Sequence, residues 1–277
     1  MSRPAAHAHI SPTDRTLNVS SPNAARIHHY LLGGRNHFAS DRAAAENLLK
    51  VAPWMRDAVV DSRRFLERAV SYTVAELGIS QFVDMGCGLP AQDNVHQIAQ
   101  EADPAARVVY VDNNPLVGVH ARATLDRNDA RVSVVEHDVR DVDGLLADET
   151  LRSLISWTDP IVVCLTAVLD FVDKPAAIID TLWKKLPQDS VVIFASLCSD
   201  GLNPSEIAQM RRVYTKADAG LYIRSGKAIR TLFDGRWDWQ SPGLGPVRTW
   251  RPISDVQSQA IKAGFLGGVT SPLRRPI

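Results

Sequence analysis

The sequence predicts an α/β fold with a doubly wound, mostly parallel sheet, and three observations carry that prediction. Five short apolar runs, rich in Val and Ile, recur between residues 81 and 197. Helix-like segments separate each run from the next. The runs are largely apolar along their length instead of alternating with polar residues, as strands covered on both faces are.

Residues 1–22 are rich in Pro, Ser, Ala and His and lack the apolar core of a signal peptide, so a disordered tail is expected there. Residues 23–78 show helical spacing only and are read as a helical N-terminal cap. Segments 43–49 and 55–77 place apolar residues three and four apart, among them Val59, Phe65, Leu66, Val70 and Val74. Pro53 separates the two segments, and Gly78 stops the second. The main domain is expected over 79–277. Its strands are read at 81–85, 108–111, 132–136, 161–165 and 191–197, with helices at 93–102, 115–125, 145–155 and 175–186. A less regular C-terminal elaboration follows, with helices at 203–217 and 222–233. A stretch at 237–250 is broken by Pro242, Gly243, Gly245 and Pro246, and a last strand is read at 265–271.

The composition sets limits on function. The 277 residues carry 31 Lys+Arg against 31 Asp+Glu, a formal net charge of zero. That balance weighs against a nucleic-acid partner, which usually calls for a positive field. The longest apolar stretch, 161–169, is interrupted by Thr166 and falls far short of the roughly 20 residues of a membrane span. Cys87, Cys164 and Cys198 lie far apart and match no metal spacing, so a reducing cytoplasm is expected.

The segment Asp84-Met85-Gly86-Cys87-Gly88-Leu89-Pro90-Ala91 joins the first strand to a helix. Its glycines permit a tight turn and close approach of the backbone to a ligand. Gly86, Gly88 and Ala91 satisfy a dinucleotide fingerprint read literally, and a plain two-glycine turn is the alternative. Asp112 ends the second strand, where a carboxylate can accept hydrogen bonds from both hydroxyls of a ribose. Each such charge-assisted bond contributes on the order of 1.5–3 kcal/mol. Asp138 follows the third strand, placed to accept from an adenine amino group. The three carboxylates are expected to converge on the edge of the sheet where ligands of open α/β folds bind. A carboxylate at 84 would repel a pyrophosphate but attract the ammonium and sulfonium of S-adenosylmethionine, so the cationic cofactor is preferred.

These residues resemble the first three motifs of class I S-adenosylmethionine-dependent methyltransferases. Further segments narrow the resemblance to the actinobacterial S-adenosyl methyltransferase family, formerly a domain of unknown function. They are 27–38 (IHHYLLGGRNHF), Asp41-Arg42, 64–70, 81–90, Asn94-Val95-His96, 109–113 and Trp250-Arg251-Pro252. The resemblance implies a Rossmann-like, seven-stranded sheet with a final antiparallel strand. It assigns Asp84, Gly86 and Gly88 to the methionine end of the cofactor, Asp112 to its ribose, and Asp138 with Val139 to its adenine. Cys87 and Asn113 stand within the same motifs. The chain departs from the family signature at His29, Asn36, His37 and Ser62.

Other candidates remain open on sequence alone. The Leu32-Gly33-Gly34-Arg35 turn could close over the cofactor, with Tyr30 or Arg35 reaching in, or could be a helix cap followed by a loop. Thr166 and Asp170 follow the fourth strand near the sheet edge. Trp237, Trp239 and Trp250 could line an acceptor pocket or pack against the sheet. His28, His29 and His37 lack the companions of a metal site, so no metal is expected. The expected activity is methyl transfer from S-adenosylmethionine to an oxygen or nitrogen of a small molecule. The alternative is a non-catalytic, regulatory module that binds S-adenosylmethionine or S-adenosylhomocysteine. A third reading, an NAD-dependent oxidoreductase, is disfavoured by Asp84 and Asp138. His28, His29, His37, Tyr30 and Asp170 are candidate bases, and no catalytic residue is singled out.

Overall fold

The computed structural model describes residues 19–124, 129–252 and 263–273. Most of the expected tail, and Leu125 at the end of the helix read at 115–125, lie outside these residues.

Three helices lead the described chain: α1 (Ala24–Leu31), α2 (Ala39–Val51) and α3 (Met55–Ala75). The apolar stripe read from the sequence is the buried face of α3, with Phe65, Leu66, Ala69, Val70, Thr73 and Val74 inside. Gly78 adopts φ 67° just beyond the helix, the left-handed position that favours glycine. Five parallel strands follow: β1 (Gln81–Met85), β2 (Arg107–Asp112), β3 (Val132–Glu136), β4 (Val162–Thr166) and β5 (Val191–Leu197). Helices α4 (Val95–Ala102), α5 (Pro115–Thr124), α6 (Val142–Ala147), α7 (Glu149–Leu154) and α8 (Ala176–Lys185) connect them. The one helix expected over 145–155 is two, because Asp148 caps α7 by accepting from Leu151 N at 2.9 Å.

After β5 come α9 (Pro204–Tyr214), α10 (Gly226–Thr231), β6 (Trp237–Trp239), β7 (Gly245–Pro246) and β8 (Phe265–Pro272). The sheet order is β3-β2-β1-β4-β5-β8-β6, with β7 also on β8. β8 runs antiparallel to β5, β6 and β7. The sheet therefore has eight strands where seven were expected. β6 pairs with 270–272 of β8 and β7 with 266–267, so two fragments fill the place of a single outer strand. Prolines at 242 and 246 prevent one continuous strand there.

The helices α1 to α3 have no core of their own. Ile27, Leu48 and Phe65 belong to the same buried cluster as Phe82, Val108 and Ile193 on one face of the sheet. Polar clasps fix them there. A buried Arg26–Asp41 ion pair, 2.7 Å, joins α1 to α2. Arg68 of α3 donates to the carbonyls of Trp250 at 2.9 Å and Val247 at 2.6 Å, while Arg251 stacks 3.9 Å from the Tyr72 ring centroid. The Trp250-Arg251 motif is thus a clamp on α3.

The strand order reverses between β1 and β4. Ligands of open α/β sheets bind at the carboxyl ends of strands at such a point.

Candidate functional site

A cavity of about 660 Å³ opens at the carboxyl ends of β1, β2 and β4. The turn after β1 forms its floor. Gly86 and Cys87 both donate backbone N–H bonds to Val111 O, at 2.7 and 3.1 Å, which pins the turn to β2. Gly86 and Gly88 take φ of 74° and 65°. A Cβ on Gly86 would meet Val168 Cγ2 at 2.2 Å, whereas one on Gly88 would meet nothing within 4 Å. Gly86 is required by packing as well as by conformation, and Gly88 leaves backbone open to the cavity.

Three of the carboxylates lining this space stand at or near the ends of β1, β2 and β3, and they differ in electrostatic state. Asp84 is buried, and its carboxylate has no hydrogen-bond partner among the described residues. Burial pushes its pKa up to about 7; Arg63 pulls it down and Asp112 pushes it up, both by less. Asp112 accepts from Gly88 N at 3.0 Å and Asn114 N at 2.9 Å. Its pKa is nonetheless raised to about 6, because burial outweighs those two donors. Asp138 behaves oppositely. Burial raises it, but donors from Arg140, at 2.5 and 2.9 Å, and Asn113 Nδ2, at 3.1 Å, prevail and hold it at about 2.

The opposite wall comes from the helices. On α1 and its C-cap, Ala24, Ala25, His28, His29 and Leu32 face the cavity, a single helical face at one- and four-residue spacing. Ser62 and Arg63 of α3 join them. Arg63 bonds the carbonyls of Gln92 at 2.9 Å and Asp93 at 2.6 Å, while its buried Nε finds no hydrogen-bond partner. A loop at 218–222 completes the wall. There Asp218 accepts from Ala24 N at 2.9 Å and from the Asn23 side chain, so it caps the start of α1 across the cavity.

Many residues singled out from the sequence therefore meet in one cavity, among them Asp84, Gly86, Cys87, Gly88, Asp112, Asn113, Asp138, Val139 and Thr166, with His28 and His29 opposite. Tyr30 and Gly34 do not line it. Tyr30 points to the other side of α1, against His37, the Arg56 guanidinium and Glu46. Gly34 is glycine because a Cβ there would stand 2.1 Å from His29 Nε2, and Gly33, at φ 83°, ends the helix. The paired glycines are a helix cap. Asp170 is spent on the fold: it accepts from Ser196 Oγ at 2.5 Å and Leu197 N at 3.1 Å. The tryptophans pack; Trp237 and Trp239 surround Phe233, and Trp250 meets Phe65 and Tyr72. Cys87 has its thiol pushed well up by burial and by the carboxylates at 112 and 84, so it stays protonated. No metal-holding group of His, Cys, Asp or Glu occurs among the described residues.

Sequence reasoning missed Asn23, Lys174, Asp218 and Tyr222 as lining residues. Nothing local marks them.

Comparison with known proteins adds an independent line. The model of the S-adenosyl methyltransferase family matches residues 11–272. A DUF574 family protein from Streptomyces avermitilis superposes with a TM-score of 0.85 at 28% identity, over 92% of this chain and 98% of its own. A protein from Thermobifida fusca, described as a candidate methyltransferase, gives 0.85 at 31% identity, over 92% and 96%. The plantazolicin methyltransferase BamL, solved with a triazolic desmethylPZN analogue and SAH, gives 0.52 at 12% identity, over 90% and 96%; that likeness is one of fold. No curated protein matches the chain.

Proposed function

The chain belongs to the S-adenosyl methyltransferase family, with S-adenosylmethionine as its cofactor, and we propose that it methylates an oxygen or nitrogen of a small molecule held against α1. When bound, the cofactor supplies an electrophilic methyl group on sulfur. The cavity's own groups suit that cofactor. Asp84 offers an unbonded carboxylate to an ammonium, and burial makes its pairing with a cation strongly favourable. Asp112 is already oriented by two backbone donors and keeps lone pairs for a pair of hydroxyls. Asp138, fixed by Arg140 and Asn113, and Val139 would receive the adenine. Gly88 gives the ligand access to backbone.

The observation that carries the acceptor reading is the extent of the cavity. It continues past these groups to the His28 face of α1 and to the 218–222 loop, and about 660 Å³ lies in the range of small-molecule sites. A purely regulatory binding module would need no such extension. The net charge of zero gives no support to a nucleic-acid acceptor. No helix among the described residues is long and apolar enough to cross a membrane. Catalysis here rests on positioning in a partly enclosed site, where aligned reactants gain most of their advantage.

Calorimetry tests the reading directly. S-adenosylmethionine and S-adenosylhomocysteine should both bind, and NAD should not. No adenosyl binding at millimolar concentration would sink the cofactor site as assigned. Release of S-adenosylhomocysteine across an acceptor panel then measures turnover, and its absence with every small molecule would favour the regulatory alternative.

A further inference from the structure

Two histidines line the cavity, and their surroundings differ. His29 is buried with its ring against Gly34, and its electrostatic neighbours are His37 and His120. His28 of α1, Arg63 of α3 and Asp84 of β1 line the same cavity, and Arg63 is a charged neighbour of both His28 and Asp84. Neither ring nitrogen of His28 has a hydrogen-bond partner among the described residues, although the side chain is only partly exposed. The other candidate bases are engaged or remote: Asp170 is held by β5, and Tyr30 and His37 face each other outside the cavity.

We propose that His28 is the catalytic base, and that the acceptor it serves is an acidic hydroxyl of the phenol class. This rests on the methyltransferase reading of the same site. In the step, the acceptor oxygen bonds to the methyl carbon, the carbon–sulfur electron pair stays with sulfur, and the hydroxyl proton passes to a ring nitrogen of His28. Water then removes that proton. Burial, Arg63 and His29 together lower the His28 pKa to about 4, so the ring is neutral and able to accept at physiological pH. A base held that low is a weak one, so it can serve only an acceptor whose own hydroxyl is acidic. Arg63 nearby disfavours a protonated amine in the same place, and it favours an oxygen gaining negative charge.

Three measurements on the full chain test this. S-adenosylhomocysteine affinity is read by calorimetry, and turnover is read with phenol, catechol and 4-nitrophenol as acceptors. His28→Gln and His28→Ala should keep S-adenosylhomocysteine affinity within about threefold while kcat with phenol falls roughly 10²–10⁴-fold. The loss should be much smaller with 4-nitrophenol, a far stronger acid that is substantially ionised at neutral pH without help, and imidazole should restore part of the His28→Ala activity. Full activity of either variant overturns the proposal, as does an equal loss with phenol and 4-nitrophenol. If the wild type binds S-adenosylhomocysteine but turns over none of the three phenols, the hydroxyl assignment fails while the cofactor site stands. If it binds no adenosyl ligand, the underlying reading fails instead. Should both variants misfold, the ¹⁵N resonances of the His28 ring in the wild type saturated with S-adenosylhomocysteine decide: phenol must shift them, and no shift overturns the proposal.

Discussion

Lowering the pH from 7.0 to 5.5 should weaken S-adenosylhomocysteine binding by well over tenfold, through Asp84. In the empty site this carboxyl has a pKa of about 7, so it is half ionised at pH 7.0 and only about one part in thirty ionised at pH 5.5. An ammonium needs the charged form. The ligand therefore binds the deprotonated protein, and affinity rises with pH while protons are released. If only that form binds, Asp84 alone accounts for about a 16-fold change, because the competent fraction scales the apparent affinity. Adding Asp112, at about 6, takes the change to about 60-fold. Asp138, at about 2, contributes nothing in this window. The ligand's own ammonium stays mostly protonated throughout. Calorimetry at both pH values, in two buffers of different ionisation enthalpy, gives the affinity and the proton count together. Affinity that is flat across the range, or binding at pH 6.5 with no proton released, would refute the assignment of Asp84 to a cation.

Other expectations follow from the same geometry. Asp84→Asn should stabilise the empty protein. The folded pKa is raised above the unfolded one, so the native state keeps a proton that the unfolded state releases, and stability from this group is lost as pH rises from about 4 through 7. The gain in Tm should grow over that interval and level off above it; a gain largest at acid pH would contradict the sign. Asp112→Ala should weaken S-adenosylhomocysteine binding more than about tenfold, since it removes an acceptor of ribose hydroxyls and strands the N–H groups of Gly88 and Asn114; unchanged affinity by calorimetry would move the ribose elsewhere. Gly86→Ala should cost about 1–3 kcal/mol in denaturant titration, and adding Val168→Ala should recover only part, because the clash is relieved and the φ of 74° is not. Asp41→Ala should cost about 3–5 kcal/mol by taking the carboxylate from the buried Arg26 and the acceptor from the N–H groups of Asn23 and Phe38; a loss below 1 kcal/mol would mean the pair does not anchor α1.

The parallel strands were legible because their residues are apolar on both faces, and β1, β3 and β5 occupy the ranges read from the apolar runs. β6 and β7 were not. Each is very short, and Trp237-Asp238-Trp239 becomes a strand only because β8 offers a free edge. The split between α6 and α7 could have been read from Asp148, a capping residue within an otherwise helical pattern. At the site, Asp84, Asp112 and Asp138 were readable because each lies at or next to the carboxyl end of a strand, and strand order brings those ends together. The same logic fails for Tyr30 and Gly34. Their local turn was evident, but the direction in which α1 faces is set by its contacts with α2, α3 and Asp218, none of which is local. Asp218 was invisible for the same reason: its role is to cap a helix that lies nearly two hundred residues earlier.

The shared core of α1, α2 and α3 with the sheet bears on how such a protein can diversify. An acceptor-binding lid that folded by itself could be exchanged as a unit among relatives, leaving the cofactor half intact. Here removal of the first three helices would uncover Phe82, Val108 and Ile193, the underside of the sheet itself. Module exchange is therefore closed to this chain. A change of acceptor would come instead from substitutions at cavity positions outside the core, such as Ala25, Asp173, Lys174 and Tyr222, where a side chain can reshape the cavity without disturbing the packing beneath.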